Sequence, residues 1–180
     1  MSALAGRGAK EWQGLTLVCS AVDSRLPAAF FSMKISSKAQ IENVRAYLDS
    51  LDAAVVKASV GDFSYYVVPG NVGPLKNFAM QLSGPSGYLV GLSEEIPLQF
   101  RDFVAFHEWI EFSSFRGEYA SCRKSLEAEL QLVPNVQLQQ YSAMRRDFFQ
   151  DLVEYASRNN YSARDIKRFS QSLSLLLRLQ

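Results

Sequence analysis

His107, Glu108 and Glu111 are the residues of this 180-residue chain best placed to do chemistry together. They lie in the run His107-Glu108-Trp109-Ile110-Glu111, inside a segment whose apolar residues recur at helical intervals over about 96–115. At 100° per residue Phe100, Phe103, Val104, His107 and Glu111 fall on one side of that helix, so the polar pair sits within an inward-facing stripe. An imidazole and a carboxylate one turn apart reach the same point. Either of them buried alone costs kilocalories, so each is the other's candidate hydrogen-bond partner. His107 is the sole histidine, so no second imidazole joins them.

A helix carrying His, Glu and a further ligand at i, i+1 and i+4 resembles the one on which zincin metallopeptidases build their site. In those enzymes the first and fifth residues bind Zn²⁺, and the second is general base to the attacking water. Glu111 stands where those families have their second histidine, and a carboxylate is also a Zn²⁺ ligand type. The resemblance spans residues 86–134, about a quarter of the chain. It takes in a strand at 88–92, the acidic turn Ser93-Glu94-Glu95, and the run from Arg101 to Phe106 that leads into the motif. A downstream helix containing Ala128-Glu129-Leu130 looks like the one from which gluzincin-type enzymes supply a glutamate ligand.

That resemblance implies a Zn²⁺ protein, a metallopeptidase if active, with a peptide or protein as substrate. His107 and Glu111 would be metal ligands and Glu108 the general base. For the third ligand it favours Glu129. Cys122, which suits Zn²⁺ as a thiolate, and Glu118 share one side of the same helix with Glu129 and stand as substitutes. The competing reading is a non-catalytic intracellular interaction or structural module in which His107 and Glu111 are a buried hydrogen-bonded pair.

Other features point to structure. The Gly70–Gly73 loop lacks the Gly-Lys-Ser/Thr ending of a phosphate loop and reads as a turn. Phe63, Tyr65, Tyr66 and Tyr88 read as strand aromatics that pack in the core, since no basic patch accompanies them. Arg145-Arg146 and the group Arg164, Lys167, Arg168 read as solvated helix faces. Cys122, with no second histidine to activate it, reads as a small buried residue rather than a nucleophile.

These residues need a scaffold, and the patterning predicts one. A helix over about 37–52 follows from capping-box spacing at Ser37 and Gln40 and apolar residues at Ile41, Val44, Leu48 and Leu51. Strands are predicted at 54–60 and 63–68, joined by a two-residue turn at Gly61-Asp62, and a third at 88–92. Helices follow at about 96–115, 118–132, 136–157 and 163–178, with Pro97 in a first turn, Pro134 ending the second helix, and Ser162 capping the last. Strands first and helices after predict an α+β fold, a small antiparallel sheet of about three strands followed by a four-helix C-terminal half. Residues 1–32 show no period and are expected to be a flexible tail to a single domain at 33–180.

The composition narrows the partners. With 19 basic and 18 acidic residues the net charge is +1, which gives no field for nucleic acid or acidic membrane. No stretch approaches the roughly 20 apolar residues of a membrane span. Two cysteines, Cys19 and Cys122, are too few for a disulfide framework, so a reduced, cytoplasmic setting is expected.

Overall fold

The computed structural model describes residues 45–46, 48–84, 87–115 and 118–179. The expected tail and the start of the domain at residue 33 lie outside them. Of the helix expected over 37–52, the described residues 45–46 and 48–50 are helical, and Leu48 is buried.

Branched and aromatic side chains fit a pleated, half-buried surface, and the Val- and Tyr-rich segments form strands accordingly. β1 (Ala54–Lys57) and β2 (Ser64–Val68) pair antiparallel with Lys57 opposite Ser64. Their connection is longer than a two-residue turn: Ala58 N–H donates to the Phe63 carbonyl at 3.1 Å, leaving 59–62 as the loop. Gly61 there has φ 78°, a left-handed conformation that glycine adopts without a Cβ clash.

The fold is α+β with four helices in its C-terminal half, as expected, but the sheet differs from the expected one. It has four strands in the order β1-β2-β4-β3, and it is mixed rather than antiparallel. β3 (Ala79–Gly84) is a strand that the sequence pattern does not announce, and β4 (Gly87–Ser93) contains the expected third strand. β4 runs antiparallel to β3 and parallel to β2, with Tyr66 opposite Gly91. The reason is the path of the chain. After β2 it crosses through 69–78 and lays β3 down as an outer strand, and β4 returns into the gap beside β2. Hydrogen bonds from Ser93 N–H to the Phe78 carbonyl (2.9 Å) and from Glu94 N–H to the Val68 carbonyl (2.8 Å) fasten its end. The crossing is tight: a Cβ added at Gly73 would lie 2.2 Å from Phe78 Cδ1.

Being interior, β4 is apolar on both faces. Leu89 joins a core with Val68, Phe78, Cys122, Leu126 and Phe149. Val90 and Leu92 point the other way, into a core with Tyr65, Phe100, Val104 and Tyr141. The strand aromatics pack as expected: Phe63 stacks on Trp109 at 5.1 Å and Tyr88 on Phe112 at 4.6 Å between ring centroids.

A 3-10 turn, Leu98–Phe100, leads into α1 (Arg101–Ser113). α2 (Ser121–Leu132), α3 (Asn135–Arg158) and α4 (Ala163–Leu176) follow. Pro97 stands just before the 3-10 turn and Pro134 just before α3. Ser162 caps α4 by accepting the Asp165 N–H at 3.1 Å. α1 packs against α2 on one side and against β3 and β4 on another, and α3 packs along α4. Among the described residues no helix is long and apolar enough to cross a membrane.

Candidate metal site

Helical spacing on α1 delivers His107 and Glu111 to the interior, where they are 2% and 9% exposed. α2 faces them with Ser121, Cys122, Ser125 and Glu129, all buried, which recur at three- and four-residue intervals along one side of that helix. α3 contributes Tyr141 and Arg145, and α4 contributes Arg168 and Ser172.

The imidazole divides this group in two. Nδ1 lies 2.6 Å from Glu129 Oε2, a short charge-assisted contact. Glu129 is fully buried and held from its other side: Tyr141 donates its hydroxyl to Oε1, and Arg145 places Nε 2.8 Å from Oε1 and Nη2 3.2 Å from Oε2. On the opposite ring edge, Nε2 is 3.6 Å from Glu111 Oε2 and 3.7 Å from Cys122 Sγ. Ser172 donates to that sulfur at 3.3 Å. The other Glu111 oxygen accepts from Ser121 at 2.6 Å and from Arg168.

The predicted residues are therefore sorted by which nitrogen they meet. His107, Glu111 and Cys122 form a buried group that could hold a metal ion, with one ligand atom from each all within 4.8 Å of one another. Glu129, the favoured third ligand, sits at Nδ1 and is not part of that group; Cys122 takes its place. Glu118 is exposed and pairs with Lys124. His107 and Glu111 are both buried, yet their 3.6 Å contact exceeds a hydrogen bond, and the short partner of the imidazole is Glu129.

Glu108 is half-buried and takes no hydrogen bond among the described residues. Burial pushes it up to about 6, against the pull of the His107 charge and with the repulsion of Glu111. Burial acts to raise Glu111 too, but its contact with His107 and the Arg168 charge hold it down at about 2. For His107 burial favours the neutral ring, and the Glu129 charge with the contacts to Cys122 and Glu111 outweighs it, placing the group well above its ordinary value.

Tyr141, Arg145, Arg168 and Ser121 were not among the predicted site residues. Arg145 is 1% exposed, contrary to the solvated face expected for it. A signal was present: Tyr141, Arg145, Phe148, Phe149 and Leu152 recur at helical spacing, which puts the arginine inside an apolar stripe. Cys122 is buried, as expected. No protein family, curated protein or solved structure matches the chain.

Proposed function

We propose that this chain is a zincin-like zinc protein in which His107, Glu111 and Cys122 are the metal ligands and Glu108 is the general base of an amide hydrolysis. The spacing of the donors carries the proposal. At His107 Nε2 the 3.6 Å contact with Glu111 is longer than a good hydrogen bond, while the 3.7 Å contact with the Cys122 sulfur is within hydrogen-bond reach of a thiol. They lie slightly above the edges, about 3.4–3.6 Å, of a tetrahedron with zinc–nitrogen, zinc–oxygen and zinc–sulfur bonds of ordinary length, and the three donor atoms all lie within 4.8 Å of one another. The donor set also fits, since imidazole, thiolate and carboxylate all belong to zinc chemistry. Three protein ligands with one open position is the pattern of catalytic rather than structural zinc sites. Tyr88 adds support: its hydroxyl is buried with no hydrogen-bond partner among the described residues, and the charges of Glu108 and Glu111 act on it, so polar capacity is available near the site.

Bound there, Zn²⁺ supplies Lewis acidity, which polarises a carbonyl and makes water a nucleophile near neutral pH. His107, Glu111 and Cys122 hold the ion. Glu108, adjacent to the ligands and free of hydrogen bonds among the described residues, accepts the proton of the attacking water. Peptides or proteins are the proposed substrate class.

One observation favours the rival, a non-catalytic interaction or structural module: the charged groups already have partners, Glu111 in Arg168 and Ser121 and Glu129 in Arg145 and Tyr141. Elemental analysis of freshly purified, untagged protein separates the two. The zinc reading expects one equivalent retained through dialysis, lost in His107→Ala and Cys122→Ser. Glu108→Gln keeps the metal and abolishes cleavage of a mixed peptide library. Folded wild type with no stoichiometric metal sinks the proposal.

A further inference from the structure

We infer that Glu129, clamped by Tyr141 and Arg145, is a positioning residue that fixes the orientation and tautomer of His107, so that Nε2 faces Glu111 and Cys122; this rests on the zinc reading. An imidazole has two nitrogens, and the hydrogen bond at one decides what the other offers. A carboxylate only accepts, so the nitrogen 2.6 Å from Glu129 Oε2 must carry the hydrogen. In the neutral ring that a metal requires, the lone pair is then left on Nε2, the edge that meets the other donors.

Glu129 has no freedom to do otherwise. Oε2 is taken by His107 and Arg145 Nη2, and Oε1 accepts the Tyr141 hydroxyl and lies 2.8 Å from Arg145 Nε as an ion-pair contact. Serving as a ligand would break contacts with three buried side chains. Tyr141 and Arg145 stand one turn apart on α3, so one helix face sets both donors. The Phe148 and Phe149 rings lie 5.4 and 5.0 Å from the guanidinium and shield it. α3, which offers no ligand, thereby governs how tightly the site holds its ion.

The sole histidine makes the test specific. Untagged full-length protein labelled with ¹⁵N in its histidine ring gives one imidazole, read by NMR with and without Zn²⁺, alongside zinc affinity from competition with a chromophoric chelator. Wild type with zinc should show a protonated Nδ1 and a metal-bound Nε2. Glu129→Gln should lower zinc affinity by about 10–100-fold and give a mixture of tautomers in the zinc-free neutral ring. Tyr141→Phe removes one hydrogen bond and no charge; it should lower affinity by about 2- to 10-fold, and it decides the matter if Glu129→Gln does not fold. A general loss of packing would not reassign ring protons. Folded variants with wild-type affinity and tautomer, in a wild type that binds zinc, overturn this inference alone; a wild type that binds none overturns the zinc reading and this inference with it.

Discussion

Asp102 and Glu111 are carboxylates on the same helix, about two and a half turns apart, and they are furnished differently. Asp102 has close partners on both oxygens: Oδ2 accepts from the Ser59 N–H at 2.9 Å and from its hydroxyl, and Oδ1 accepts from Tyr65 at 2.7 Å. It latches the β1–β2 loop to the start of α1. Glu111 has one oxygen satisfied by Ser121 and Arg168, while the other lies 3.6 Å from the His107 ring nitrogen, in a group with the Cys122 sulfur. A saturated carboxylate explains itself as architecture. A buried one whose second oxygen only approaches an imidazole leaves room for an ion between them, and that difference, more than burial, separates the two ends of α1.

The largest expected effect falls on the buried side. Arg145→Leu strands Glu129 without its main counter-charge and should cost about 3–5 kcal/mol in urea denaturation. A cost under about 1 kcal/mol would mean that solvent reaches Glu129 after all. Zinc at about a thousand times its dissociation constant should stabilise the wild type by about 4 kcal/mol over chelated protein. Equal melting curves with and without chelator would erase the contrast, making Glu111 as structural as Asp102.

At the other end, Asp102→Ala orphans the buried Tyr65 hydroxyl and should cost about 1–3 kcal/mol at neutral pH, with metal content unchanged. Burial acts to raise Asp102, but the bonds from Ser59 and Tyr65 outweigh it and hold it below its ordinary value. Its stabilisation is therefore present above the unfolded value, near pH 4, and is lost as pH falls through the folded value. Wild type and variant should converge in acid melts below about pH 4; a gap that widens there would reverse the sign. Smallest of all, Glu118→Gln should shift stability by no more than about 0.5 kcal/mol and leave zinc affinity as it was, since Glu118 is an exposed partner of Lys124.

The sequence carries the four helices legibly because their apolar residues repeat with a helical period and their ends carry Pro and Ser signals. It also carries the shared face of His107 and Glu111, and of Cys122 and Glu129, because those depend on spacing within one helix. Which edge of the imidazole each α2 residue meets depends on how α1 crosses α2, and no local pattern encodes that. Spacing alone cannot choose between Glu129 and Cys122, seven residues apart on one helix side, and the resemblance that favours Glu129 says nothing of that crossing. Arg145 was misread because residue type was weighed over position; its place among Tyr141, Phe148 and Phe149 marks it as interior. β3 escaped notice because its Ala-Met-Gln-Leu-Ser-Gly has no β-branched or aromatic residue and runs straight into the Ser83-Gly84-Pro85 turn signal, which hides the short alternation of Met80 to Ser83; its pairing with β4 supplies the rest.

The tight crossing before β3 has an evolutionary consequence. With the Phe78 ring occupying the space where a Cβ at residue 73 would stand, the two positions are bound to change together. A lineage that acquires a side chain at 73 must first shrink the aromatic five residues later. Descendants of this sequence should therefore keep Gly73 wherever Phe78 persists, and that pairing is a signature by which distant kin could be recognised after the rest of the loop has drifted.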